Sequence, residues 1–315
     1  MARHVAVVFG GTGFIGRYVV QRLAQRDYVV RVVTRSAETA RPLMTQGMVG
    51  QIVPVPAGPL DDAHIARAVA GASAVVNLIG ILAERRDGDF ARVHGALPGR
   101  IARASAAAGV KHLVHISAIG ADAEAESLYA RSKAEGEAAL HAAFPEATIL
   151  RPSIVFGQED SFFNRFAGMA RIMPVLPLVG GGTRFQPVYV GDVADAVMAA
   201  MERPEARGRI HELAGPRVAT FRALMEYMLG VIGRRRRIVE IPGGLAKFQA
   251  GLMGWLPNPP LTRDQLILLR RDNVASGGAP GLRELGIEPK AMEAVVPGYL
   301  GRFRRSGGRQ EGAVA

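Results

Sequence analysis

The sequence contains no cysteine, few aromatic residues and very few lysines. Without Cys, disulfides, thiolate nucleophiles and Cys-ligated zinc are excluded, so any chemistry must use Ser, Tyr, Lys, His or carboxylates. The longest stretch without a charge, residues 68–83, is shorter than the roughly 20 residues that cross a bilayer. We therefore expect no membrane-spanning helix. We also expect no metal site, because metal-ligand spacing is missing around His94, His112, His115 and His211.

The charge of the chain argues against a nucleic-acid partner. Only four lysines stand beside 35 arginines, a skew that reflects genome composition, and aromatic residues make up 6% with one Trp. A nucleic-acid binder is expected to show a recognition motif or a basic strip interleaved with aromatic residues. Most of the net charge of +11 comes from residues 201–315, which hold 19 basic and 11 acidic residues. This polarity favours an acidic lipid or an acidic protein as partner.

The N-terminal residues read as a strand, a glycine turn and a helix in direct succession. The run VAVVF at 5–9 is typical of a buried parallel strand, and it leads into Gly10, Gly13 and Gly16 of the motif GGTGFIG. In this context the missing side chains let backbone N–H groups and the positive end of the helix approach a pyrophosphate. The sequence therefore predicts a dinucleotide site rather than a flexible glycine loop.

The second predicted strand bears on which dinucleotide is bound. Residues 28–33 lead into Thr34 and Arg35, where a site that prefers NAD places an acid. Arg35 can pair with a 2′-phosphate, or it can simply be solvated. We predict NADP(H) as the cofactor, with NAD(H) as the less favoured alternative.

Apolar runs and helical patterns alternate along the first half of the chain. Strand-like runs begin at residues 51, 74, 113 and 148, and helical patterns cover 63–70, 90–108 and 129–143. The alternation predicts an α/β fold with a Rossmann-type, doubly wound parallel sheet and a smaller C-terminal α/β region. We place the dinucleotide-binding domain at 1–155, with later segments such as 186–200 returning to it. The substrate or partner region is placed at 156–315.

A serine, a tyrosine and a lysine stand at spacings that suit catalysis. Ser117 follows the fifth predicted strand, Tyr129 comes twelve residues later, and Lys133 lies one helical turn beyond. Tyr and Lys four residues apart share a helix face, and a serine at the strand end can reach the same point. Charged Lys133 would lower the pKa of Tyr129, and Ser117 would hydrogen-bond a reacting carbonyl or alcohol. The nicotinamide would supply the hydride.

Together with the glycine turn, these residues make the chain resemble the short-chain dehydrogenase/reductase superfamily of extended or atypical type. The stretches 150–157 (LRPSIVFG) and 186–194 (QPVYVGDVA) are similar to later parts of that superfamily. One branch fits better than the rest, because the chain resembles the alpha-subcomplex subunit nine family of respiratory complex I. This narrower resemblance is carried by 76–80 (VNLIG), 143–147 (AFPEA), 156–167 (FGQEDSFFNRFA), 186–190 (QPVYV), 261–264 (LTRD) and 285–287 (LGI).

The family resemblance implies a set of functional expectations. They are a bound NADP(H), no established turnover, other complex I subunits as partners, and a position beside the membrane arm near the quinone entry region. The location implied is cytoplasmic, with peripheral attachment to the inner face of the energy-conserving membrane. The expected catalytic residues are Ser117, Tyr129 and Lys133. The expected cofactor-binding residues are Gly10, Thr12, Gly13, Phe14, Ile15, Gly16, Arg35, Leu60, Asn77, Gly80, Tyr129, Lys133 and Pro152.

Two segments leave alternatives open. After the third strand many relatives carry Gly-Asp-Leu, whose Asp hydrogen-bonds adenine, whereas this chain has Gly58-Pro59-Leu60-Asp61, so the contact comes from the backbone or from Asp61. The arginine run 234–237 precedes an apolar stretch, 241–256, that contains Trp255. This pair of segments suits an anionic membrane surface, a docked partner, or a solvated face beside a core helix. The family resemblance favours a membrane-adjacent partner.

Three functions remain open from the sequence. In an accessory or assembly protein of complex I, NADP(H) would stabilise the fold by binding only the native state. In an active NAD(P)-dependent oxidoreductase or epimerase, Tyr129 would be the acid/base for a small carbonyl or nucleotide-sugar substrate. In a redox sensor, partner binding would change with NADPH occupancy.

Overall fold

The computed structural model describes residues 4–58, 60–242, 244 and 262–304. The chain divides into two compact units. The first contains Met1–Pro152, Val190–Leu213 and Ala275–Glu288, and the second contains Ser153–Tyr189, Ala214–Val274 and Pro289–Ala315. Within the described residues, no helix is both long enough and apolar enough to cross a membrane.

The first unit is built on a seven-stranded parallel sheet. Its strands, numbered along the whole chain, are β1 (Val5–Phe9), β2 (Val29–Thr34), β3 (Ile52–Pro56), β4 (Ala74–Asn77), β5 (His112–Ile116), β6 (Thr148–Pro152) and β11 (Ile210–Leu213). Their order is β11-β6-β5-β4-β1-β2-β3, and all neighbours run parallel. The order reverses between β1 and β4. In open α/β sheets this switch point, at the carboxyl ends of the strands, is where ligands bind.

Three helices of the first unit begin at residues whose side chains satisfy free backbone N–H groups. The helices of this unit are α1 (Phe14–Gln25), α2 (Ala37–Met44), α3 (Asp62–Val69), α4 (Leu97–Ala107), α5 (Leu128–Ala143) and α7 (Val190–Glu202), with a π-helical segment Ala91–Ala96 before α4 and a 3₁₀ turn at Pro204–Ala206. Ser36, Asp61 and Ser127 accept hydrogen bonds from N–H groups in the first turns of α2, α3 and α5. Such caps contribute about 1 kcal/mol each and fix where a helix starts.

Apolar side chains from the central strands and the flanking helices fill the first unit. Val7, Val75 and Ile149 of the sheet pack in one cluster with Ile101 of α4 and Leu140 of α5. All five are fully buried. Strands covered on both faces have to be apolar nearly throughout, which is why β1 reads as the unbroken run VAVVF.

The second unit has short strands and an aromatic core. Its strands are β7 (Val155–Phe156), β8 (Val175–Leu178), β9 (Arg184–Phe185), β10 (Val188–Tyr189), β12 (Ala219–Thr220) and β13 (Arg237–Glu240). They form the two-stranded sheets β10-β7, β12-β9 and β13-β8. Its described helices are α6 (Phe163–Ile172), α8 (Phe221–Val231), α9 (Arg263–Leu268) and α10 (Met292–Leu300), followed by a 3₁₀ turn at Gly301–Phe303. Phe156, Phe163 and Met228 lie in its core.

The predicted fold class is confirmed. The sheet is parallel and doubly wound, and the predicted strands and helices of the first half appear within a few residues of their expected bounds. The first unit runs continuously to Pro152 and then takes in Val190–Leu213. The segment Ala275–Glu288 also belongs to it, which no pattern in the sequence indicated. Glu212 holds this segment, since its carboxylate accepts the N–H of Ser276 at 2.6 Å.

Candidate functional site

The glycine turn after β1 is shaped by close backbone approaches. Gly10 has φ +80°, and a Cβ there would lie 3.1 Å from the carbonyl carbon of Leu78. A Cβ on Gly16 would overlap the carbonyl oxygen of Gly10, so only glycine lets α1 begin this close to the turn. Gly13 closes the turn, donating its N–H to Gly10 O at 3.0 Å.

The N-terminus of α1 is left open for an anion. Its N-cap, Gly13, has no side chain to bond the free N–H groups, and its first turn carries no acidic residue. Thr12, Phe14 and Ile15 are half-buried. Backbone N–H groups and the positive helix dipole at such a position bind phosphate groups. This geometry fits a pyrophosphate.

Two further expected cofactor residues follow β2 and β3, Arg35 directly and Leu60 four residues after the strand ends. Arg35 directly follows β2 and is exposed, while Thr34 before it is buried, with its hydroxyl bonded to Ser36 O and to Thr39 Oγ1. Leu60 is half-buried and packs against the core of the first unit. Because β1 pairs in register with β2, and β2 with β3, these positions lie at the same sheet edge as the glycine turn.

Asp61 already has a structural role at the start of α3. Its Oδ1 accepts the His64 N–H at 2.7 Å and lies 2.7 Å from His64 Nδ1. These bonds lower the pKa of the Asp61 carboxyl. Between the two alternatives for the adenine contact, this engagement favours the backbone. Pro59, the other residue of this departure, lies outside the described residues.

The segment after β4 connects the glycine turn with the Tyr/Lys pair. Asn77 is fully buried, its Oδ1 accepts the Ile79 N–H at 3.2 Å, and its Nδ2 lies 3.2 Å from His115 Nδ1. Burial, and then the charge of Lys133, lower the pKa of His115 to about 3, so this imidazole is neutral. Asn77 therefore shapes the path of the chain towards Gly80, which is exposed.

Lys133 lies beside the end of β5. It is 5% exposed, and its Nζ donates to Ile116 O at 3.3 Å, next to Ser117. A Cβ on Gly80 would lie 3.6 Å from this Nζ, so the segment after β4 and helix α5 approach each other here.

Ser117 is 4% exposed, and its Oγ has no hydrogen-bond partner among the described residues. A buried hydroxyl without a partner is costly, which suits a ligand that completes it. Pro152, at the end of β6, is buried and its carbonyl accepts the Ile119 N–H.

The electrostatics of the Tyr/Lys pair differ from the expectation. Burial raises the pKa of Tyr129 to about 12, and burial lowers the pKa of Lys133 to about 8 against the opposing pull of Glu137. Lys133 Nζ lies 5.9 Å from the centroid of the Tyr129 ring. The predicted lowering of the Tyr129 pKa by Lys133 is therefore wrong for the protein without ligand. The cost of removing the phenolate from water outweighs the attraction of a lysine that is itself desolvated.

Two contacts of α5 in this region were missed by the sequence reading. His94, to which we assigned no role, lies edge-on against Tyr129, with centroids 5.2 Å apart, and stacks on Phe90 at 5.3 Å. Its Nε2 accepts the Ile81 N–H at 3.0 Å, so the ring proton is on Nδ1, 3.2 Å from Ser132 Oγ. The signal in the sequence was Gly136. A Cβ there would overlap His94 O, and such a glycine in a helix indicates close packing.

The second missed contact is an ion pair between α5 and β6. Arg151 Nε donates to Glu137 Oε1 at 2.9 Å, and Arg151 Nη2 donates to Glu137 Oε2 at 2.5 Å. Glu137 is 4% exposed and lies one turn beyond Lys133 on the same face of α5. A two-pronged pair of this kind fixes the rotation of α5 and hence the placement of the Tyr129 and Lys133 side chains.

Comparison with known proteins identifies the family of this chain. Residues 6–214 match the model of the NAD dependent epimerase/dehydratase family. NADH dehydrogenase (ubiquinone) 1 alpha subcomplex subunit 9 of Arabidopsis thaliana is 36% identical over 96% of this chain and 79% of its own length. Ceramide reductase of Caulobacter vibrioides is 31% identical over 76% of this chain and 74% of its own length.

Solved structures agree with the fold. A dTDP-glucose 4,6-dehydratase of Streptomyces venezuelae, solved with NAD bound, has a TM-score of 0.72 at 19% identity and covers 95% of this chain and 96% of its own. Family membership and the glycine turn together support a nicotinamide dinucleotide as the ligand of this site. The chain belongs to the NAD dependent epimerase/dehydratase family, and within it is related to the alpha subcomplex subunit 9 proteins.

Proposed function

We propose that this protein holds NADP(H) at the glycine turn and serves as an accessory or assembly subunit of respiratory complex I. The observation that carries the proposal is similarity to an NADH dehydrogenase subunit over 96% of the chain, which includes both units. Similarity over nearly the whole chain supports a shared role in the assembly more strongly than a shared cofactor motif does. The partners proposed are therefore other complex I subunits.

The residues present fit a dinucleotide. Gly10 and Gly16 permit a tight turn in which a Cβ would meet neighbouring backbone atoms, and the α1 N-terminus offers uncapped backbone N–H groups. When bound, the nicotinamide supplies hydride chemistry. A ligand that binds only the folded chain also stabilises it, by RT ln(1 + [L]/Kd).

Arg35 favours the phosphorylated form of the cofactor. It is exposed directly after β2, at the position where a site that prefers NAD carries an acid, and no described acid pairs with it. A guanidinium there donates charge-assisted hydrogen bonds to a 2′-phosphate.

The Tyr/Lys pair suits a structural role in the cofactor site. In the protein without ligand, burial raises the pKa of the Tyr129 phenol to about 12, and Lys133 Nζ donates to the Ile116 carbonyl. In this proposal Tyr129 and Lys133 line the cofactor site and keep water out of it.

The second candidate is an active oxidoreductase or epimerase, and the Ser117 hydroxyl favours it. That buried Oγ is free to hydrogen-bond a reacting carbonyl or alcohol oxygen, and a ceramide reductase is among the relatives. In this role Tyr129 would exchange the proton with the substrate oxygen and Lys133 would stabilise the phenolate. The substrate would be a small carbonyl compound or a nucleotide sugar.

The location we propose is cytoplasmic, peripheral on the inner face of the energy-conserving membrane, as suits a subunit of a membrane enzyme.

One experiment separates the two candidate functions: isolate the tagged protein from its native membrane fraction and identify bound nucleotide and associated proteins by mass spectrometry. NADP(H) with respiratory subunits supports the accessory role. A preparation without those subunits that consumes NADPH, and loses this activity in Tyr129→Phe, supports the enzyme.

A further inference from the structure

An open groove rich in arginine lies in the second unit and contains none of the residues of the candidate dinucleotide site. It has a volume of about 740 Å³ and is formed by the start of β8, the outer face of α8 and the run that leads into β13. Its charged lining consists of Arg222, Arg234, Arg235, Arg236, Arg237 and Glu226. Cations therefore outnumber anions five to one in a space of the size that ligands occupy.

Three consecutive arginines of this groove have no carboxylate partner among the described residues. Arg236 is held by main-chain oxygens, since its Nε donates to Ala170 O at 2.9 Å and its Nη1 to Arg235 O at 3.2 Å. Carbonyl partners fix this side chain without neutralising it. Arg235 and Arg237 are exposed, and their side chains make no hydrogen bond or ion pair in the described structure.

The nearby acids are already engaged with another arginine. Glu226 Oε1 lies 3.9 Å from Arg222 Nη1, and Glu240 Oε2 lies 3.6 Å from Arg222 Nη2. Neither carboxylate pairs with the run. Like charges crowded on one wall repel each other unless an anion lies between them, and the planar guanidinium fork matches phosphate oxygens best.

We propose that this groove is a second anion site, which binds a phosphate group through Arg235, Arg236 and Arg237. The groove is built entirely by residues of the second unit, so the proposal stands whether or not the glycine turn holds a dinucleotide. The phosphate group can belong to a soluble compound or to a phospholipid headgroup. The apolar stretch 241–256, which follows this run in the sequence, lies almost entirely outside the described residues.

The test compares two matched pairs of substitutions in the full chain. Arg235→Gln/Arg237→Gln removes two exposed charges from the groove. Arg207→Gln/Arg209→Gln removes two exposed charges of the same spacing from the first unit. Neither pair makes a side-chain bond in the described structure, so both variants should keep the melting temperature of the parent chain. One arm titrates inorganic pyrophosphate by calorimetry with NADPH present, and the other measures sedimentation with vesicles of phosphatidylglycerol and phosphatidylcholine.

We expect the groove variant, and not the control, to lose affinity about tenfold or more in at least one arm, because it removes two side chains that donate charge-assisted hydrogen bonds to the phosphate. Weaker binding of both pyrophosphate and vesicles indicates that the groove binds any accessible phosphate group. Weaker binding of vesicles alone indicates that it binds a phospholipid headgroup. Equal behaviour of the two variants in both arms, or no binding by the parent chain, overturns the proposal. NADPH affinity should be the same in both variants, so failure of the groove and failure of the dinucleotide site are separately visible.

Discussion

The imidazole of His94 lies edge-on against the phenol of Tyr129, with ring planes at 89° and centroids 5.2 Å apart. The same imidazole accepts the Ile81 N–H and lies within hydrogen-bond distance of Ser132 Oγ, which itself donates to Tyr129 O at 2.9 Å. His94 therefore joins three parts of the candidate site: the segment after β4, the Tyr129 ring and the backbone of α5. A change in the backbone path of residues 79–81 would therefore move His94 and alter its contact with the Tyr129 ring.

The buried histidines predict a loss of stability in acid. Burial, and then the charge of Lys133, lower the pKa of His94 to about 3, and the His115 pKa is lowered to a similar value. The unfolded chain takes up these protons from about pH 6.5 downwards while the folded chain does not. The free energy of unfolding should therefore fall from pH 6.5 towards pH 3, by up to about 1.4 kcal/mol per pH unit for each histidine.

Urea unfolding between pH 4 and pH 7 measures this slope. His94→Gln should reduce the number of protons taken up on unfolding by up to about one and so make the slope shallower. His4→Gln, at an exposed position, is the matched control. Equal slopes in the parent chain and His94→Gln would show that His94 is not held neutral by burial.

Gly16→Ala should abolish dinucleotide binding. Its Cβ would overlap Gly10 O, so the turn must open and the N–H groups of α1 move away from the pyrophosphate. Gly168→Ala is the matched control, since Gly168 lies inside α6 with no atom within 4 Å of the added Cβ. We expect this control to bind NADPH normally and to be more stable by about 0.5–1 kcal/mol. Fluorescence titration of NADPH follows both variants, and unimpaired binding by Gly16→Ala would refute the proposed pyrophosphate contact.

Arg35→Glu should reverse the preference between the two dinucleotides. The carboxylate repels a 2′-phosphate and accepts hydrogen bonds from a ribose 2′-hydroxyl. We expect the affinity for NADPH to fall about tenfold or more while that for NADH holds or rises, because a lost charge-assisted bond costs about 1.5–3 kcal/mol. The same charge reversal at exposed Arg41 of α2 is the control. If Arg35→Glu and Arg41→Glu give the same ratio of the two dissociation constants, Arg35 does not contact the phosphate.

Glu137→Gln should destabilise the first unit strongly. It leaves the Arg151 guanidinium, whose side chain is 20% exposed, without its carboxylate. Breaking a buried pair on one side typically costs about 3–5 kcal/mol. In Glu137→Gln/Arg151→Met the unpaired charge is also removed, so the loss should be smaller than the sum of the two single losses. Additive losses in urea unfolding would show that the two residues do not interact.

The sequence predicted those features that involve residues only a few positions apart in the chain. The strand, glycine turn and helix follow one another within residues 5–25, and Tyr129 and Lys133 share a helix face because they are four positions apart. The contact between His94 and Tyr129 was not predicted, because the two residues are 35 positions apart in the chain. His94 also lies in a π-helical segment, which no local sequence pattern indicates. The ion pair between Arg151 and Glu137 was not predicted, because an apolar strand pattern gives no information on which residue pairs with the one charged side chain of β6.

The electrostatic prediction failed for a different reason. Spacing places Lys133 near Tyr129, but the sign of the pKa shift depends on how dry the surroundings are. Burial is a property of the packed unit. In the second unit, strands of only two residues and a core of Phe and Met side chains leave no periodic pattern to read.

Calorimetric titration of the folded full-length chain with NADPH, and separately with NADH, tests the central claim most directly. The account predicts saturable heat at a single site, tighter with NADPH than with NADH, and absent in Gly16→Ala. No heat from either dinucleotide with protein that is folded by circular dichroism would contradict it.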